Sequence, residues 1–539
     1  MKRFSLSNDN ARIPTWTGAT SQRCLARTGA REPCVPGSLR LPSTRKIPPD
    51  WRTAMPTSSN TRTGTHAPHS PNVLFFFTDD QRFDTIRALA DEFPHAKQLS
   101  TPNLDALVRR GTTFTHAHIP GGTCPAVCMP SRAMLHSGRT LFHLDGCGEN
   151  IPDEHVTLGE CFRNAGYETF GTGKWHNGPA AFNRSFSHGD EIFFGGMNDH
   201  WNVPAYYYDP SGRYESRCAY VENWELSNHV AHRACDHIHA GRHSTDLFTD
   251  AAIDFLRNRD VSHPFFCYVS LMAPHDPRTM PERFRRMYNP DEIELPANFM
   301  AQHPLDTGAL RIRDELLAGF PRTPEEVRQH LAEYYAMISH LDDAFGRLMG
   351  ALESSGELEN TIIVFAGDNG LAVGQHGLMG KQSLYDHSVR VPLVFAGPGI
   401  PSGERRDAFA YLSDVFPTLC DLTSCDIPPS VEGLSLAPII TDGCTEGRES
   451  LYLAYDRTLR GVRKGRFKLV EYAVDGHRET QLFDLVDDPD ELRNLAREDR
   501  MEAMLHDLRA ELYHLRDVWD DRVHATGRTF WAEYDAANV

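Results

Sequence analysis

The chain has 539 residues, 40% hydrophobic and 24% charged, with a formal net charge of -18 and a pI of about 5.8. That length buries a large core and favours two packed units over one, while the acidic balance excludes a general electrostatic affinity for nucleic acid or an anionic membrane. No window approaches the roughly 20 consecutive apolar residues of a membrane span, no internal repeat is present, and twelve dispersed cysteines without a paired C-x-x-C form neither a disulfide scaffold nor a zinc pattern.

In chain order, residues 1–70 stand apart. They are rich in Ser, Thr, Pro and Arg and carry 11 Lys/Arg against 3 Asp/Glu, so they contribute +8 and leave -26 for the rest (-26 + 8 = -18). Such a segment buries too little apolar surface to order itself, which predicts a disordered extension or a start placed too far upstream. It lacks the apolar stretch of a secretory signal, though its Arg and Ser content suits a transit peptide. As written the chain reads as cytoplasmic, and as exported or vesicular if the true N-terminus differs.

From residue 71 to 445, short β-rich apolar runs alternate with helical patterns, which predicts an α/β domain with a large, mostly parallel sheet between helices. The clearest helix opens at Thr323, a capping residue, with Pro324 in its first turn and Glu326 placed for a capping box. Val327, Leu331, Tyr334, Ile338, Leu341, Phe345 and Leu348 then form one apolar stripe. From 446 to 539 the texture changes to short strands, "ESLYLAYD", "LRGVRKGRFKLVEY" and "ETQLFDL", then an amphipathic stretch. These predict a small C-terminal antiparallel subdomain with a terminal helix.

Four predicted strands end in polar residues: Asp79 and Asp80 after "VLFFFT", Lys174 and His176 in "TFGTGKWH", His275 after "FFCYVSLMAP", and Asp368 with Asn369 after "TIIVFAG". Ligands of open α/β sheets bind beyond the carboxyl ends of strands, so these side chains converge on one edge. Three carboxylates and one carboxamide are hard oxygen donors, suited to calcium or magnesium and unsuited to zinc or copper. Two like-charged pairs on neighbouring strands also need a cation between them.

"CMPSRAMLHSGR", with Cys128, Pro130, Ser131 and Arg132, resembles the C-x-P-S-R signature of the type I sulfatases in the alkaline phosphatase superfamily. "GYETFGTGKWH" looks like that family's second signature, and "GDNGLAVGQHGLMGKQSLYDHSVRVPL" like its later metal and lysine segment. The likeness runs from about residue 71 to about 500. It implies an alkaline-phosphatase-like fold and a sulfuric ester hydrolase in which a formylglycine-generating enzyme oxidises Cys128. It further implies that Asp79, Asp80, Asp368 and Asn369, with the modified Cys128, hold calcium or magnesium. Arg132 would orient the formylglycine hydrate, Lys174 and His176 would attend it, and His275 and Lys381 would serve the sulfate and leaving oxygen. A hydrate has two hydroxyls, so sulfate leaves without a second attack at sulfur. On that scheme Asp368 takes the attacking proton, His275 with Lys381 protonates the leaving alcohol, and His176 is the base of release.

Other polar clusters read more plainly. His237, His239 and His243 in "CDHIHAGRH" read as a solvated loop, because no carboxylate or paired cysteine completes a ligand set. Asp199, His200 and Trp201 sit near aromatics and suit either a sugar face or a packed loop. His376 lies close in sequence to the metal segment and is a candidate for substrate contact, Asn183 opens a glycosylation sequon, and Cys124 admits a disulfide or metal reading beside Cys128.

The "APHDPRTMPERF" and "GLMGKQSLYDHSVRVPL" segments resemble sulfatases acting on sulfated carbohydrates, which makes a sulfated sugar the expected substrate. A phosphodiesterase or phosphonate monoester hydrolase of the same superfamily is the alternative within the class. A non-catalytic protein with an unmodified Cys128 is the alternative outside it.

Overall fold

In the computed structural model, which describes residues 70–222, 225–444 and 447–536, the apolar run after Pro71 is strand β1, Asn72–Thr78, and every residue in it is buried. Successive side chains of a strand point to opposite faces. Leu74 and Phe76 accordingly enter one core cluster, while Val73, Phe75 and Phe77 enter another. An unbroken apolar run is what a strand covered on both sides requires. The expectation for residues 1–69 lies outside the described residues.

Among the described residues the larger sheet has eight strands. The others are β2 Thr112–Phe114, β3 Glu168–Lys174, β4 His188–Phe193, β5 Phe265–Ser270, β6 Thr361–Gly367, β7 Leu393–Ala396 and β8 Glu404–Arg406, and the spatial order is β8-β2-β7-β6-β1-β5-β3-β4. β1 pairs in parallel with β5 and β6, β5 with β3, β3 with β4, and β2 with β8, while β7 runs antiparallel to β6 and β2. The sheet is mostly parallel, as its alternation of strand and helix patterns predicts.

Helix α1, Cys128–Ser137, packs on the face that holds Phe75. Helices α2, Ser244–Asn258, and α3, Pro324–Ser354, cover the other. All seven stripe residues of α3 are buried. Thr323 caps it by accepting from Glu326 N at 3.2 Å. The expected capping box is only half made, because the Glu326 carboxylate accepts from Gly319 N at 3.2 Å and is drawn to that donor of the preceding turn.

The C-terminal strands β9 Ser450–Tyr455, β10 Leu459–Lys464, β11 Phe467–Val474 and β12 His477–Asp484 form an antiparallel meander. Sequence patterns do not anticipate its fifth strand, the dipeptide Gly121–Gly122, which pairs in parallel with β9 just ahead of α1. The amphipathic stretch is helix α4, Glu502–Val518, and a further helix, α5, spans Ala525–Ala536. Buried Asp521 ties these parts together, accepting from Arg460 Nε at 2.7 Å and Nη2 at 2.9 Å, from Tyr452 Oη at 2.7 Å and from Trp531 Nε1 at 2.7 Å. Among the described residues no helix is long and apolar enough to cross a membrane.

Candidate active site

β6, β1, β5 and β3 are parallel neighbours, so their carboxyl ends open at one edge. There β1 gives way to Asp79 and Asp80, β6 to Asp368 and Asn369, β3 ends at Lys174, and β5 leads to His275. Asp80 N donates to Asp368 Oδ1 at 3.0 Å, which locks the two turns together. Asp80 takes a left-handed φ of 64°, uncommon outside glycine. Tyr334 Oη, from α3, holds that turn by donating to Asp80 O at 2.7 Å and accepting from Arg82 N at 2.9 Å.

Helix α1 opens on Cys128, which is buried, and aims its first turn at the same edge. Cys128 Sγ lies 3.5 Å from Lys174 Nζ and 3.6 Å from His176 Nδ1. Arg132 lies beneath, donating from Nε to Asp368 Oδ2 at 2.8 Å and from Nη1 to Ser270 Oγ at 2.6 Å. Its hydrogen bonds thus go to the carboxylate, to β5 and, from Nη1 at 3.3 Å, to Lys174 O at the end of β3. Ser131 Oγ donates to Asp368 O at 2.5 Å.

Each carboxylate of the first pair carries an ammonium. Lys174 Nζ donates to Asp79 Oδ2, and Lys381 Nζ donates to Asp80 Oδ1 at 2.6 Å, where Asn369 Nδ2 also donates at 2.7 Å. His275 Nε2 stands 3.6 Å from Asp80 Oδ2. Its Nδ1 faces Asp276 O at 2.8 Å, and buried His200 braces it from behind, with Nε2 3.0 Å from His275 O.

Burial disfavours charge on Asp79, but Lys174, His275, Arg132 and Lys381 together hold its carboxyl well below the ordinary range. Burial, then the neighbouring Asp79, pushes Asp368 up to about 7. Burial works against the Lys381 ammonium, which Asp80 nevertheless holds well above its ordinary value. Burial, with Lys174 and Arg132 beside it, lowers His176 to about 2 and keeps its imidazole neutral.

Two buried oxygens, Asp79 Oδ1 and Asn369 Oδ1, have no hydrogen-bond partner among the described residues. Ligand atoms of Asp79, Cys128 and Asp368 lie within 4.8 Å of one another. Unpartnered hard oxygens among three carboxylates fit a divalent cation of the calcium or magnesium kind.

Above this floor opens a cleft of about 260 Å³, lined by Cys128, His176, His275 and Lys381 and walled in part by Met197, Ile312, Arg313, Asp314 and Gln382. The walls come from loops whose sequence has no period to read. Arg313 pairs with Asp276, and Gln382 Nε2 donates to Asp314 Oδ2 at 2.7 Å, a polar rim that motif reading misses. Gly196 also lines the cleft, and a β-carbon there would stand 2.9 Å from the His176 ring.

The remaining candidates lie elsewhere. His376 stacks on Tyr385 with ring centroids 3.9 Å apart and bonds Glu491 O at 3.1 Å, so it packs against the C-terminal part and does not line the cleft. His243 caps α2 by accepting from Thr245 N, apart from His237 and His239. These two do meet a carboxylate, Glu191, which overturns the premise that none completes their set. Asp199 is exposed and accepts from Trp201 N at 3.0 Å within its own loop. Asn183 Nδ2 donates to Asp209 O at 2.7 Å. Cys124 and Cys128 are both free cysteines, and Cys124 Sγ donates to Ala126 O at 3.8 Å.

A family model described as sulfatase matches residues 71–425, more than half of the chain, and one described as N-sulphoglucosamine sulphohydrolase, C-terminal, matches residues 374–518. An N-acetylglucosamine-6-O-sulfatase of Bacteroides thetaiotaomicron is 26% identical over 500 residues, covering 79% of this chain and 82% of that protein. A solved structure described as a complex with its substrate D-glucosamine-2-N,6-O-disulfate superposes with a TM-score of 0.63 at 23% identity, over 84% of this chain and 99% of that one. The phosphonate monoester hydrolase of Agrobacterium radiobacter superposes with a TM-score of 0.65 at 24% identity, over 83% and 96%.

Proposed function

The chain belongs to the sulfatase family and is a sulfuric ester hydrolase, and from that premise we propose that it removes sulfate from a sulfated carbohydrate. The sugar assignment is supported by the N-acetylglucosamine-6-O-sulfatase relative. The mechanism rests on one observation above the others: Cys128 lies on the cleft floor between Lys174 Nζ and His176 Nδ1, beside a cluster of unpartnered oxygens.

A divalent cation, calcium or magnesium, would be held by Asp79, Asp80, Asp368 and Asn369 together with residue 128 and would supply positive charge to a sulfate oxygen. Formylglycine at position 128, made by a formylglycine-generating enzyme, would supply a hydrated aldehyde as nucleophile. Lys174 and Lys381 carry the positive charge that a sulfate ester needs as its charge redistributes. Arg132 fixes the Asp368 carboxylate, which accepts the proton lost at position 128. His275, oriented by Asp276 O and His200, holds a proton on Nε2 for the leaving alcohol. His176, whose Nδ1 stands 3.6 Å from Cys128 Sγ, accepts a proton there as sulfate departs.

The test is peptide mass spectrometry across Cys128 on protein co-expressed with a formylglycine-generating enzyme, with turnover of an aryl sulfate measured against an aryl phosphate diester. Loss of the thiol for an aldehyde, with the sulfate turned over faster, is the expected result. Faster turnover of the diester would make the chain a phosphodiesterase or phosphonate monoester hydrolase. An unmodified thiol without turnover would make it a non-catalytic relative.

A further inference from the structure

Away from the cleft, the edge strand β4 makes a bulge. Its register with β3 passes from Thr172 opposite Asp190 to Gly173 opposite Ile192, so Glu191 is the extra residue. The bulge leaves Glu191 at a left-handed φ of 50°, which a glutamate rarely adopts, and its side chain is buried. Both carboxylate oxygens face imidazoles: Oε2 lies 2.7 Å from His237 Nε2 and Oε1 lies 2.9 Å from His239 Nε2. The histidines are two apart on an extended segment, which brings both to one face, and their ring centroids are 4.7 Å apart. His237 Nδ1 is buried without a hydrogen-bond partner among the described residues. One ligand atom from each of the three residues lies within 4.8 Å of the others.

We infer that Glu191, His237 and His239 form a second metal site, for a transition-metal cation such as zinc. Two imidazoles and a carboxylate are the donors that zinc and its neighbours take, with a fourth position left to water. That chemistry differs from the oxygen donors at Asp79, Asp80 and Asp368, so each site selects its own metal. The contacts of 2.7 and 2.9 Å that join the three groups would give way to ligand bonds when a cation binds.

The position gives the site a task. Between Glu191 and His237 the chain makes the excursion that contributes Gly196 and Met197 to the cleft wall and His200 to the brace behind His275. The excursion is tied at its base by the bridge between Ile192 and Tyr206 and by the pairing of His237–Ile238 with Pro204–Ala205. A cation on Glu191 and the two histidines clamps both ends of it, making these three residues positioning residues for the wall.

The experiment uses the full chain, dialysed in calcium buffer and titrated with Co²⁺ and with Zn²⁺. Bound metals are counted by mass spectrometry, and Co²⁺ is followed by its visible spectrum. One equivalent of Co²⁺ should bind beyond the calcium, with an affinity that falls by more than about tenfold in His239→Ala and in Glu191→Gln, while calcium content stays the same. His239 is 40% exposed at its side chain, so its replacement leaves the fold intact even if a Glu191 variant does not accumulate. Equal Co²⁺ affinity in wild type and His239→Ala, or no uptake by wild type at micromolar Co²⁺, would overturn the site. Ester turnover is not the readout, so the result stands independently of the hydrolase reading.

Discussion

Lys381 Nζ donates to Asp80 Oδ1 at 2.6 Å across 301 residues of sequence, and both side chains are buried. A buried ammonium on a buried carboxylate at the floor of a cleft is poised for an anion, since an incoming sulfate competes for the same charge. Lys381→Ala should lower kcat about 10²- to 10³-fold while calcium content holds. Steady-state kinetics beside metal analysis checks this; activity within twofold of wild type would remove Lys381 from the mechanism.

Asp79 contributes an oxygen that no donor among the described residues satisfies. Asp79→Ala should therefore weaken calcium binding and turnover together, because a ligand and a charge vanish at once. Calcium titration of the variant, with its rate at saturating calcium, separates the two losses. Wild-type values for both would refute the oxygen site.

Gly196 leaves no room for a β-carbon, which would stand 2.9 Å from His176 Cε1 and Nε2. Gly196→Ala should push the ring aside and cut kcat by roughly 10²-fold, the cost of a misplacement of about 1 Å. The melting temperature should barely move, since the loop surface otherwise stays as it was.

Asp521 neutralises Arg460, and both are fully buried. Asp521→Ala strands a guanidinium in the core, and a loss of about 3–5 kcal/mol is expected. The denaturation midpoint should fall accordingly, with any divalent-cation binding at the proposed site retained at temperatures where the variant is folded.

His143 joins the loop after α1 to Glu432 at 2.7 Å and to Asp520 at 3.0 Å. The Glu432 hydrogen bond, against burial, lifts His143 above its ordinary 6.5, so that contribution is complete below 6.5 and is lost as pH rises through the raised folded value. Burial opposes the charge on Glu432, but His143 draws it down to about 2, so that contribution is present above 4.5 and fades as pH falls towards 2. The stability difference between wild type and His143→Ala should therefore peak between about pH 4.5 and 6.5 and shrink at alkaline pH. Melting temperatures across the range decide it, and a flat difference would contradict the pairing.

Much of this architecture is written locally. Residues 73–77 and 362–366, in the strands before Asp79 and Asp368, are apolar at every position because both faces of those strands are covered, and the stripe on α3 follows from helical spacing alone. The strand ends announce the site because charge has no other reason to terminate a buried run. What stays hidden is contact between distant segments. Glu191 carries no mark in "SHGDEIFF" of the two imidazoles it meets, since a bulge in β4 turns it toward them. Arg313 and Asp314 lie at the start of a single 3-10 turn, Asp314–Leu317, too short to show a period, and only the folded wall brings them to the cleft that Cys128 lines. Glu326 looks like half of a capping box until the preceding turn offers it Gly319 N.

The pairing of Gly121–Gly122 with β9 also sets a timetable. Gly121 has a φ of 112°, and a β-carbon on it would lie 2.1 Å from Ala454 O, so the segment leading to Cys128 closes directly on a strand near the far end of the chain. Ribosomal synthesis delivers Cys128 long before Ala454. During that interval the segment leading into α1 lacks its pairing strand, and in the folded chain Cys128 is only 3% exposed. On the proposed reading, an enzyme that oxidises Cys128 would have its opportunity while the chain is still emerging, and chains that fold first would retain the thiol they were made with.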